Sequence, residues 1–490
     1  MSESITLLGT TQQLPLSSRR MLSVVGALVW AFLFVQGALH YQGQLYVYAA
    51  FSVVFLGLFL SGVHRPPSFG YMYFTIFLWL GFWLKLVLHL WLKYEYIEPI
   101  GFFISSGPAW DHVLTISMSG AFGVLIARYI CSFLHAGSAA VALTVPAWYL
   151  PRRRLLWTVL LVGTVVLGVL NVVLGIQLIG LVPRTILHWP LNALISWLLN
   201  LGLGTAVVTL AWWDIASRKN VTFPMYGILF EALFSGVSIL SRGTFLYHFI
   251  PGVIAAFKKR KRLAGLTLSR VAIYFAIAGG VFILSISVVT ALRYALYQSE
   301  EEVAAAGPNN GAFHEFSKLV GGRVYGPMLT LAADRWIGLE GVMSVSSYPK
   351  RSMELLSQGL SEQRRDGKVT MYQSICDSIY LKSNQAKWSF ASLPGAMAFW
   401  YYADSLLIVT AGMLLLTSLL IVAERLVWVG TRNPFMASLY GFAFANVFAQ
   451  FGITPRADIP YFIMLAGGVV LVCVVQSRWF AFVVAKAGWR

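Results

Sequence analysis

The sequence has few charged residues, and this shortage excludes a soluble protein. Charged side chains make up 11% of the 490 residues, whereas hydrophobic side chains make up 58%. So few polar side chains cannot cover the surface of a soluble globule. Tryptophan, in contrast, is abundant, with 17 copies. Tryptophan concentrates where a membrane meets water, so the composition indicates a membrane protein.

Cysteine and the common catalytic motifs are also scarce. The three cysteines, Cys131, Cys376 and Cys473, are far apart in the sequence, so they offer neither a disulfide framework nor a CxxC metal site. No Walker A motif, HExxH motif or GxSxG motif is present. We therefore expect no metal, no cofactor and no direct use of ATP.

Long apolar runs dominate what remains. A helix needs about 20 apolar residues to cross the hydrocarbon core of a membrane. Twelve runs meet or approach this length, namely 21–40, 45–63, 69–92, 112–134, 155–178, 190–212, 224–241, 244–257, 267–296, 404–424, 435–452 and 459–476. They predict an all-α polytopic membrane protein with about twelve transmembrane helices and one large, mainly helical periplasmic loop.

The basic residues predict the orientation of these spans. The formal net charge is +17, and most of the excess lies in short clusters between apolar runs, such as Arg152–Arg154 and KKRKR at 258–262. Basic clusters mark the cytoplasmic side of a membrane protein, so we do not expect nucleic acid as a partner. Placing both termini in the cytoplasm puts nearly every strong cluster on that side. We expect a multi-pass protein of the bacterial inner membrane.

This orientation divides the chain into four parts. Residues 1–20 form a cytoplasmic tail, residues 21–296 contain spans one to nine, and residues 404–490 contain spans ten to twelve with a short cytoplasmic tail. Residues 297–403 form the large periplasmic loop. Within it, the segments at 348–366 and 369–383 have apolar side chains at helical spacing with charges opposite, which predicts two amphipathic helices.

Three arginines fall on the predicted periplasmic side. Arg242 lies in a three-residue turn between two short spans, which holds it near the outer edge of the hydrocarbon. Arg184 and Arg456 each follow a proline at a span end. Arginine presents five planar donors that match phosphate groups, so we predict an anionic ligand on this face. The alternatives are snorkelling of Arg242 to lipid headgroups and a local ion pair of Arg456 with Asp458.

Other ionisable residues lie within the predicted spans or the loop. Lys85 and His89 share one face of span three and are candidates for the same anion site, with a snorkelling lysine as the alternative. Glu231, inside span seven, must face other helices and find a hydrogen-bond donor.

The large loop holds the candidate catalytic groups. Arg335 and Glu340 stand in an otherwise apolar stretch, DRWIGLEG, which suggests a docked element that presents polar groups to a cavity. His314 is the natural candidate for a general base because its pKa lies near working pH, although it stands in a glycine-rich stretch.

Two short motifs and the layout of the spans resemble the Wzy-type O-antigen polymerase family, which is related to the O-antigen ligases. The motifs are SRGTFL at 241–246, which precedes the basic KKRKR turn, and RWIGLEG at 335–341 in the large loop. The resemblance in layout covers nearly the whole chain, with about twelve spans and a large periplasmic loop before the last three.

The resemblance implies transfer of a glycan from undecaprenyl pyrophosphate to a lipid-linked acceptor repeat at the periplasmic face. The partners it implies are undecaprenyl-pyrophosphate-linked oligosaccharides, the lipid bilayer and a chain-length regulator protein. Arginines at periplasmic span ends and in the loop would bind the pyrophosphate, which maps onto Arg242, Arg184 and Arg335. His314 or Glu340 would take the proton of the acceptor hydroxyl.

Two other functions stay open at the level of sequence. The first is an O-antigen ligase or another polyprenyl-phosphate-dependent glycosyltransferase. Enzymes that use polyprenyl monophosphate sugars resemble this chain less, because its first periplasmic turn, HYQGQ, lacks an acidic residue. The second is a non-enzymatic transporter or flippase, although the chain shows no inverted repeat.

Overall fold

A computed structural model describes residues 16–93, 96, 98–132, 145–218, 221–259, 268–297, 336–363, 369–378, 392–452 and 454–486. All regular structure in these ranges is helical. Nine helices in them are long and apolar enough to cross a membrane. This part of the chain therefore forms an all-α membrane protein.

A helix covers most of each predicted apolar run. The twelve helices are α1 (Leu16–His40), α2 (Leu45–Val63), α3 (Phe69–Leu92), α4 (Gly107–Ile130), α5 (Tyr149–Leu174), α6 (residues 191–218), α7 (Thr222–Ser238), α8 (Arg242–Lys259), α9 (Leu268–Tyr297), α14 (Leu406–Thr431), α15 (Pro434–Ala449) and α16 (Asp458–Gln476). Between α9 and α14 lie α10 (Leu339–Ser347), α11 (Met353–Ser361), α12 (Met371–Ile375) and α13 (Ala396–Trp400), and α17 (Arg478–Lys486) follows α16.

Two boundaries differ from the sequence predictions for local reasons. Helix α4 begins at Gly107 rather than at 112, because the Ser106 side chain accepts a hydrogen bond from the Ala109 backbone and Pro108 fits the first turn. Helix α8 runs from Arg242 to Lys259 rather than from 244 to 257, so Arg242 is its first residue rather than part of a turn. The eighth span is therefore longer than its apolar run.

Contacts between connecting segments define two ends of the bundle. At one end, which we call the loop end, the Tyr41 hydroxyl donates to Asp111 at 2.8 Å and the Ser344 hydroxyl donates to the Pro99 carbonyl at 3.0 Å. The first contact joins the connection after α1 to α4, and the second joins the connection after α3 to α10 of the large loop. The Ser105 hydroxyl also donates to the Gln42 side chain at 3.0 Å, which joins the two connections to each other. The segments predicted to be periplasmic therefore meet one another.

The opposite end, which we call the basic end, gathers the segments predicted to be cytoplasmic. The Arg153 guanidinium pairs with Asp214, and the Lys258 ammonium lies 4.5 Å from the centre of the Phe69 ring. Glu424 of α14 accepts hydrogen bonds from the first backbone amides of α3. These contacts join α5 to α6, and they join α3 to both α8 and α14.

Close backbone approach holds α3 against α15. A Cβ added at Gly441 would lie 2.7 Å from the Gly70 backbone nitrogen, and one at Gly70 would lie 3.0 Å from the Gly441 carbonyl. Small residues allow such approach between membrane helices, where packing rather than hydrophobic burial drives association. The end of α15 contacts elements of the large loop, since a Cβ at Gly395 would lie 3.4 Å from the Ala449 carbonyl oxygen and the ring of Phe451 stacks on Trp400.

Candidate functional site

A segment of the large loop, Trp336–Gly341, lies along one face of α3. We call it the docked segment. The Trp336 ring stacks on Phe77 with 5.5 Å between ring centres, the Ile337 carbonyl packs on Gly81, and Glu340 pairs with Lys85. These contact positions on α3 are four residues apart. At a rise of about 1.5 Å per residue, Phe77 lies about 22 Å from the loop end of α3. The loop therefore re-enters the bundle to the middle of this helix.

Three glycines allow the docked segment to come this close. A Cβ at Gly81 would lie 2.5 Å from the Ile337 carbonyl oxygen, and one at Gly338 would lie 2.6 Å from the Phe82 ring. A Cβ at Gly341 would collide with the Pro394 carbonyl. The segment RWIGLEG thus needs its glycines for backbone approach to α3 and to the chain before α13.

Helix α3 widens where the docked segment lies. Residues Trp79–Leu84 form a π-helical stretch inside the α-helix, and Gly81 and Phe82, which contact the docked segment, belong to it. Such π-bulges are rare and frequently occur at functional sites. The local geometry of α3 is therefore irregular immediately before Lys85.

Lys85 and Glu340 form a buried ion pair. Their charged atoms lie 2.5 Å apart, and the side chains are 0% and 3% exposed. Glu340 belongs to the first turn of α10, where the helix dipole favours a negative charge. The alternative of a snorkelling lysine is wrong, because Lys85 is buried. The structure thus joins a residue predicted to bind substrate with one predicted to be catalytic, and both roles remain predictions.

The rest of the predicted face of α3 is also buried. His89 is 6% exposed, and its ring stacks on Tyr96 with 3.7 Å between ring centres. Lys85, one turn earlier on α3, is also buried inside the protein. The face shared by Lys85 and His89 therefore contacts the connection after α3 and the loop rather than lipid headgroups.

The turn between α7 and α8 forms the second part of the site. Leu240 adopts a left-handed conformation with φ of 56°, and the Ser241 side chain accepts a hydrogen bond from the Thr244 backbone at 3.1 Å. This interaction caps α8, and Arg242 follows as its first residue. The side chain of Arg242 lies outside the described part of the structure.

A buried acid–base pair joins α7 to α8 below this turn. Glu231 is bonded to His248 Nδ1 at 2.9 Å and accepts from the Ser235 hydroxyl at 2.6 Å. The prediction that Glu231 finds a donor is confirmed. His248 Nε2 lies 3.3 Å from the Asn200 carbonyl, which belongs to a second π-helical stretch, Leu198–Gly202 in α6.

Sequence reasoning missed His248, although a signal was present. Glu231 lies nine residues before Leu240, at the centre of the α7–α8 turn, and His248 lies eight residues after it. In a helical hairpin such positions lie at the same height, so two polar residues there are expected to meet.

Aromatic rings link the docked segment to the start of α8. The ring of Phe77 contacts Trp336, and its centre lies 5.2 Å from the centre of the Phe442 ring. The centre of the Phe442 ring lies 4.9 Å from that of Tyr247. The Tyr247 ring in turn covers Gly243, where a Cβ would lie 3.3 Å from the ring. Trp336 and Gly243 are the sequence neighbours of the predicted arginines Arg335 and Arg242. The rings of Phe77, Phe442 and Tyr247 thus connect the described sequence neighbours of the two arginines, Trp336 and Gly243.

The other predicted site residues have different outcomes. His314 and Arg335 lie outside the described residues. Arg184 and Arg456 are exposed at the loop end, in contrast to the buried Lys85–Glu340 pair. Both Arg456 and Asp458 are described, and no ion pair joins them within 4 Å in this part of the chain, so the local explanation for Arg456 is not met.

Arg351 forms several hydrogen bonds at the surface of the large loop. Its guanidinium donates to the carbonyls of Ser346 at 2.5 Å and Tyr348 at 2.6 Å, and to Asp404 at 2.8 Å. These carbonyls lie at the end of α10, so Arg351 connects the helix that carries Glu340 to the start of α14. The hydrogen bond from Arg351 holds the pKa of Asp404 below its ordinary value.

No protein-family model matches the chain, and no curated protein or solved structure matches it either. In the described ranges, no group of three or more His, Cys, Asp or Glu residues could hold a metal ion. The fold thus defines a class, an all-α membrane protein with a loop segment docked into its bundle.

Proposed function

We propose that this protein is a polysaccharide repeat-unit polymerase of the bacterial inner membrane. It transfers a glycan from undecaprenyl pyrophosphate to a lipid-linked acceptor repeat, with the loop end facing the periplasm. The observation that carries the proposal is the convergence of the docked segment and the start of α8, because each immediately adjoins a predicted pyrophosphate-binding arginine. In this proposal α1–α9 and α14–α16 cross the membrane twelve times, and both termini lie in the cytoplasm.

The proposed reaction is a substitution at the anomeric carbon of the donor glycan. The oxygen of an acceptor hydroxyl forms the new glycosidic bond, and the bond from the anomeric carbon to the pyrophosphate breaks. His314 takes the hydroxyl proton. Arg242 and Arg335 stabilise the charge that develops on the departing pyrophosphate, as preorganised donors do in a site of low dielectric. Arg184 and Arg456 draw the anionic headgroup to the loop end.

Lys85 and Glu340 have a positioning role in this scheme. Their ion pair fixes the docked segment on α3, and the segment begins one residue after Arg335. Because Glu340 is paired with a buried lysine, His314 is the better assignment for the base.

Reconstitution tests the proposal directly. The purified protein in proteoliposomes would be given undecaprenyl-pyrophosphate-linked repeat units isolated from a strain that lacks it. We expect polymer of several repeats from the wild type and single repeats from Arg242→Ala or Arg335→Ala, with equal amounts of folded protein. Long chains from both variants would contradict the assignment of the arginines.

The same assay separates the alternatives. A ligase would leave the lipid-linked repeats unchanged until lipid A-core is added. A flippase would move them across the bilayer without making a glycosidic bond. Either result would reject the polymerase. Coexpression of a chain-length regulator should change only the length distribution of the polymer.

A further inference from the structure

Helix α17 (Arg478–Lys486) follows α16 after a sharp break. Ser477 has an extended backbone with ψ of 154°, which ends α16, and its hydroxyl accepts a hydrogen bond from the Phe480 backbone at 3.2 Å. This hydrogen bond caps α17 at its start. Because α16 belongs to a stretch that is already long and apolar enough to cross a membrane, α17 lies beyond the hydrocarbon core.

Trp148 holds the start of α17 at the basic end of the bundle. Its indole Nε1 donates to the Val475 carbonyl at 3.3 Å, and its ring meets the Phe480 ring edge-on with 5.4 Å between ring centres. Trp148 immediately precedes α5, whose first two turns carry the cluster Arg152–Arg154. Basic clusters of this kind lie at the surface of a membrane, so α17 begins at the level of the lipid headgroups.

One face of α17 is apolar and exposed. Trp479, Phe482, Val483 and Lys486 follow one another at the spacing of a single helix face. The side chains of Trp479 and Phe482 are 66% and 59% exposed, and Val483 is exposed too. Phe480, on a different face, packs on Trp148 instead. Two aromatic rings and a valine that the described part of the chain leaves uncovered are unfavourable in water, so we expect an apolar medium to cover them.

Positive charges accompany this face. The Lys486 ammonium lies 5.2 Å from the centre of the Phe482 ring, so this lysine lies against the apolar face. Arg478, at the start of the helix, is exposed as well. From 459 to 490 the sequence contains three basic residues, Arg478, Lys486 and Arg490, and no acidic residue. This charge is complementary to a negatively charged lipid surface.

We propose that α17 lies in the membrane interface at the basic end and binds anionic phospholipids of that leaflet. Its apolar face enters the boundary between headgroups and acyl chains, and Arg478 and Lys486 contact lipid phosphate groups. Helices that lie in the interface combine a face of Trp and Phe with basic residues in this way. The inference does not depend on the proposed function.

A protein partner fits this face less well than lipid does. A helix of nine residues is about 14 Å long, and one face of it offers much less than the area of about 800 Å² that each partner buries in a stable interface. Lipid sets no such threshold, because the membrane-spanning helices already hold the chain in the bilayer.

Spin labels on the protein in nanodiscs of phosphatidylglycerol and phosphatidylcholine test the position of this face. In a background in which Cys131, Cys376 and Cys473 are replaced by serine, a nitroxide would be attached at Phe482→Cys. Two other exposed positions serve as controls, Leu419→Cys in the middle of α14 for the hydrocarbon and Lys350→Cys of the large loop for water. We expect oxygen to relax the label at 482 more strongly than a water-soluble nickel chelate does, with a ratio between those of the two controls.

The same label tests the choice of lipid. A single cation near an anionic membrane surface favours binding about fivefold, so in phosphatidylglycerol the ratio of membrane-bound to free label should fall about fivefold in Arg478→Gln or Lys486→Gln and about 25-fold in the double variant. Arg154→Gln, which removes an exposed charge of the basic end outside α17, should leave the ratio unchanged. In nanodiscs of phosphatidylcholine alone, the α17 variants should equal the labelled parent protein.

Three outcomes would overturn the proposal. A label at 482 that is as accessible to the nickel chelate as the label at Lys350→Cys would place the face in water. A label shielded from both oxygen and nickel would mean that protein, such as a second copy of the chain, covers the face. Equal ratios for the parent protein and the double variant in phosphatidylglycerol would show that α17 does not select anionic lipid. None of these results bears on the proposed function, which is tested by polymer formation.

Discussion

Lys85 and Glu340 place two opposite charges in the interior of the protein. Taking charges out of water is costly, and the cost is offset only while the partners remain together. The pair is therefore better explained by the position it enforces than by any net gain in stability. It fixes where the docked segment lies on α3, and it does so at the residue nearest to the irregular π-helical stretch.

We predict that Lys85→Met destabilises the protein strongly, because it leaves Glu340 buried without its cation. Removal of one partner of a buried pair typically costs about 3–5 kcal/mol. The double variant Lys85→Met with Glu340→Leu should recover much of this loss. The coupling energy comes from thermal unfolding, in detergent, of the wild type, the two single variants Lys85→Met and Glu340→Leu, and the double variant. Lys350→Met, at an exposed position, serves as the control.

Two outcomes of this cycle have different meanings. A coupling energy near zero would contradict the importance of the pair. A stable double variant that lacks the proposed polymerase activity, when the wild type has it, would show that the pair positions the loop rather than only stabilising the fold.

Asp404 provides a pH-dependent contact at the loop surface. The hydrogen bond from Arg351 holds its pKa below the ordinary value, so the contact stabilises the folded state above the ordinary pKa and is lost as pH falls through the folded-state pKa. Because Asp404 is 49% exposed, the effect should be below about 1 kcal/mol. We predict that Asp404→Asn unfolds at lower temperature than the wild type at pH 7 and that the difference disappears in acid.

The Arg351→Gln background checks the cause. In that background, Asp404→Asn should change the unfolding temperature little at any pH, because the Arg351 guanidinium that donates to Asp404 is absent. A pH-independent difference between Asp404→Asn and the wild type would mean that the ion pair does not control this carboxyl group.

Individual residues could be proposed from the sequence better than their partners could. Lys85, Glu231 and Glu340 stand out because a charge in an apolar stretch is costly and therefore needs a reason. The pairing of Lys85 with Glu340 joins positions 255 residues apart, and local periodicity carries no information on such a contact. His248 was predictable from hairpin symmetry.

At the scale of elements, the docked segment and α3 depend on each other's backbone. The contact between Gly81 and the Ile337 carbonyl leaves no space for a side chain. The sequence predicted a docked element here because its charges interrupt an apolar stretch. It did not predict where the element docks, since the π-helical stretch of α3 has no signature in the apolar pattern.

We predict that Gly81→Val displaces the docked segment and abolishes the proposed polymerase activity while the protein still inserts into the membrane. The added side chain would meet the Ile337 carbonyl, so the segment must move away from α3. Limited proteolysis of membrane vesicles should then cut the loop faster than in the wild type. Gly57→Val is the matched control, because Gly57 of α2 has open space around it.

The rate at which the protease cuts the loop decides this prediction. Unchanged proteolysis together with full activity in Gly81→Val would mean that close docking is not required. Loss of activity in Gly57→Val as well would point to a general effect of valine in a membrane helix.

At the scale of the whole molecule, the apolar runs predicted the helices well because each helix must satisfy its own backbone in a membrane. The ends were predicted less well, since capping by Ser106 and the extension of α8 to Lys259 depend on polar residues beyond the runs. The grouping of the connections into a loop end and a basic end agrees with the charge pattern. Which end faces the periplasm depends on the charge bias alone.

Cysteine labelling tests that orientation. In a background in which Cys131, Cys376 and Cys473 are replaced by serine, a single cysteine would be placed at Lys350 of the loop end or at Arg154 of the basic end, both exposed. We predict that a membrane-impermeant maleimide, small enough to pass the outer membrane, labels Lys350→Cys in intact cells. It should label Arg154→Cys only after the inner membrane is opened, because basic clusters remain cytoplasmic. The reverse pattern would put the candidate site on the cytoplasmic side and thereby exclude a polymerase that acts in the periplasm, whereas labelling of both positions in intact cells would show that the two ends do not lie on opposite sides of the membrane.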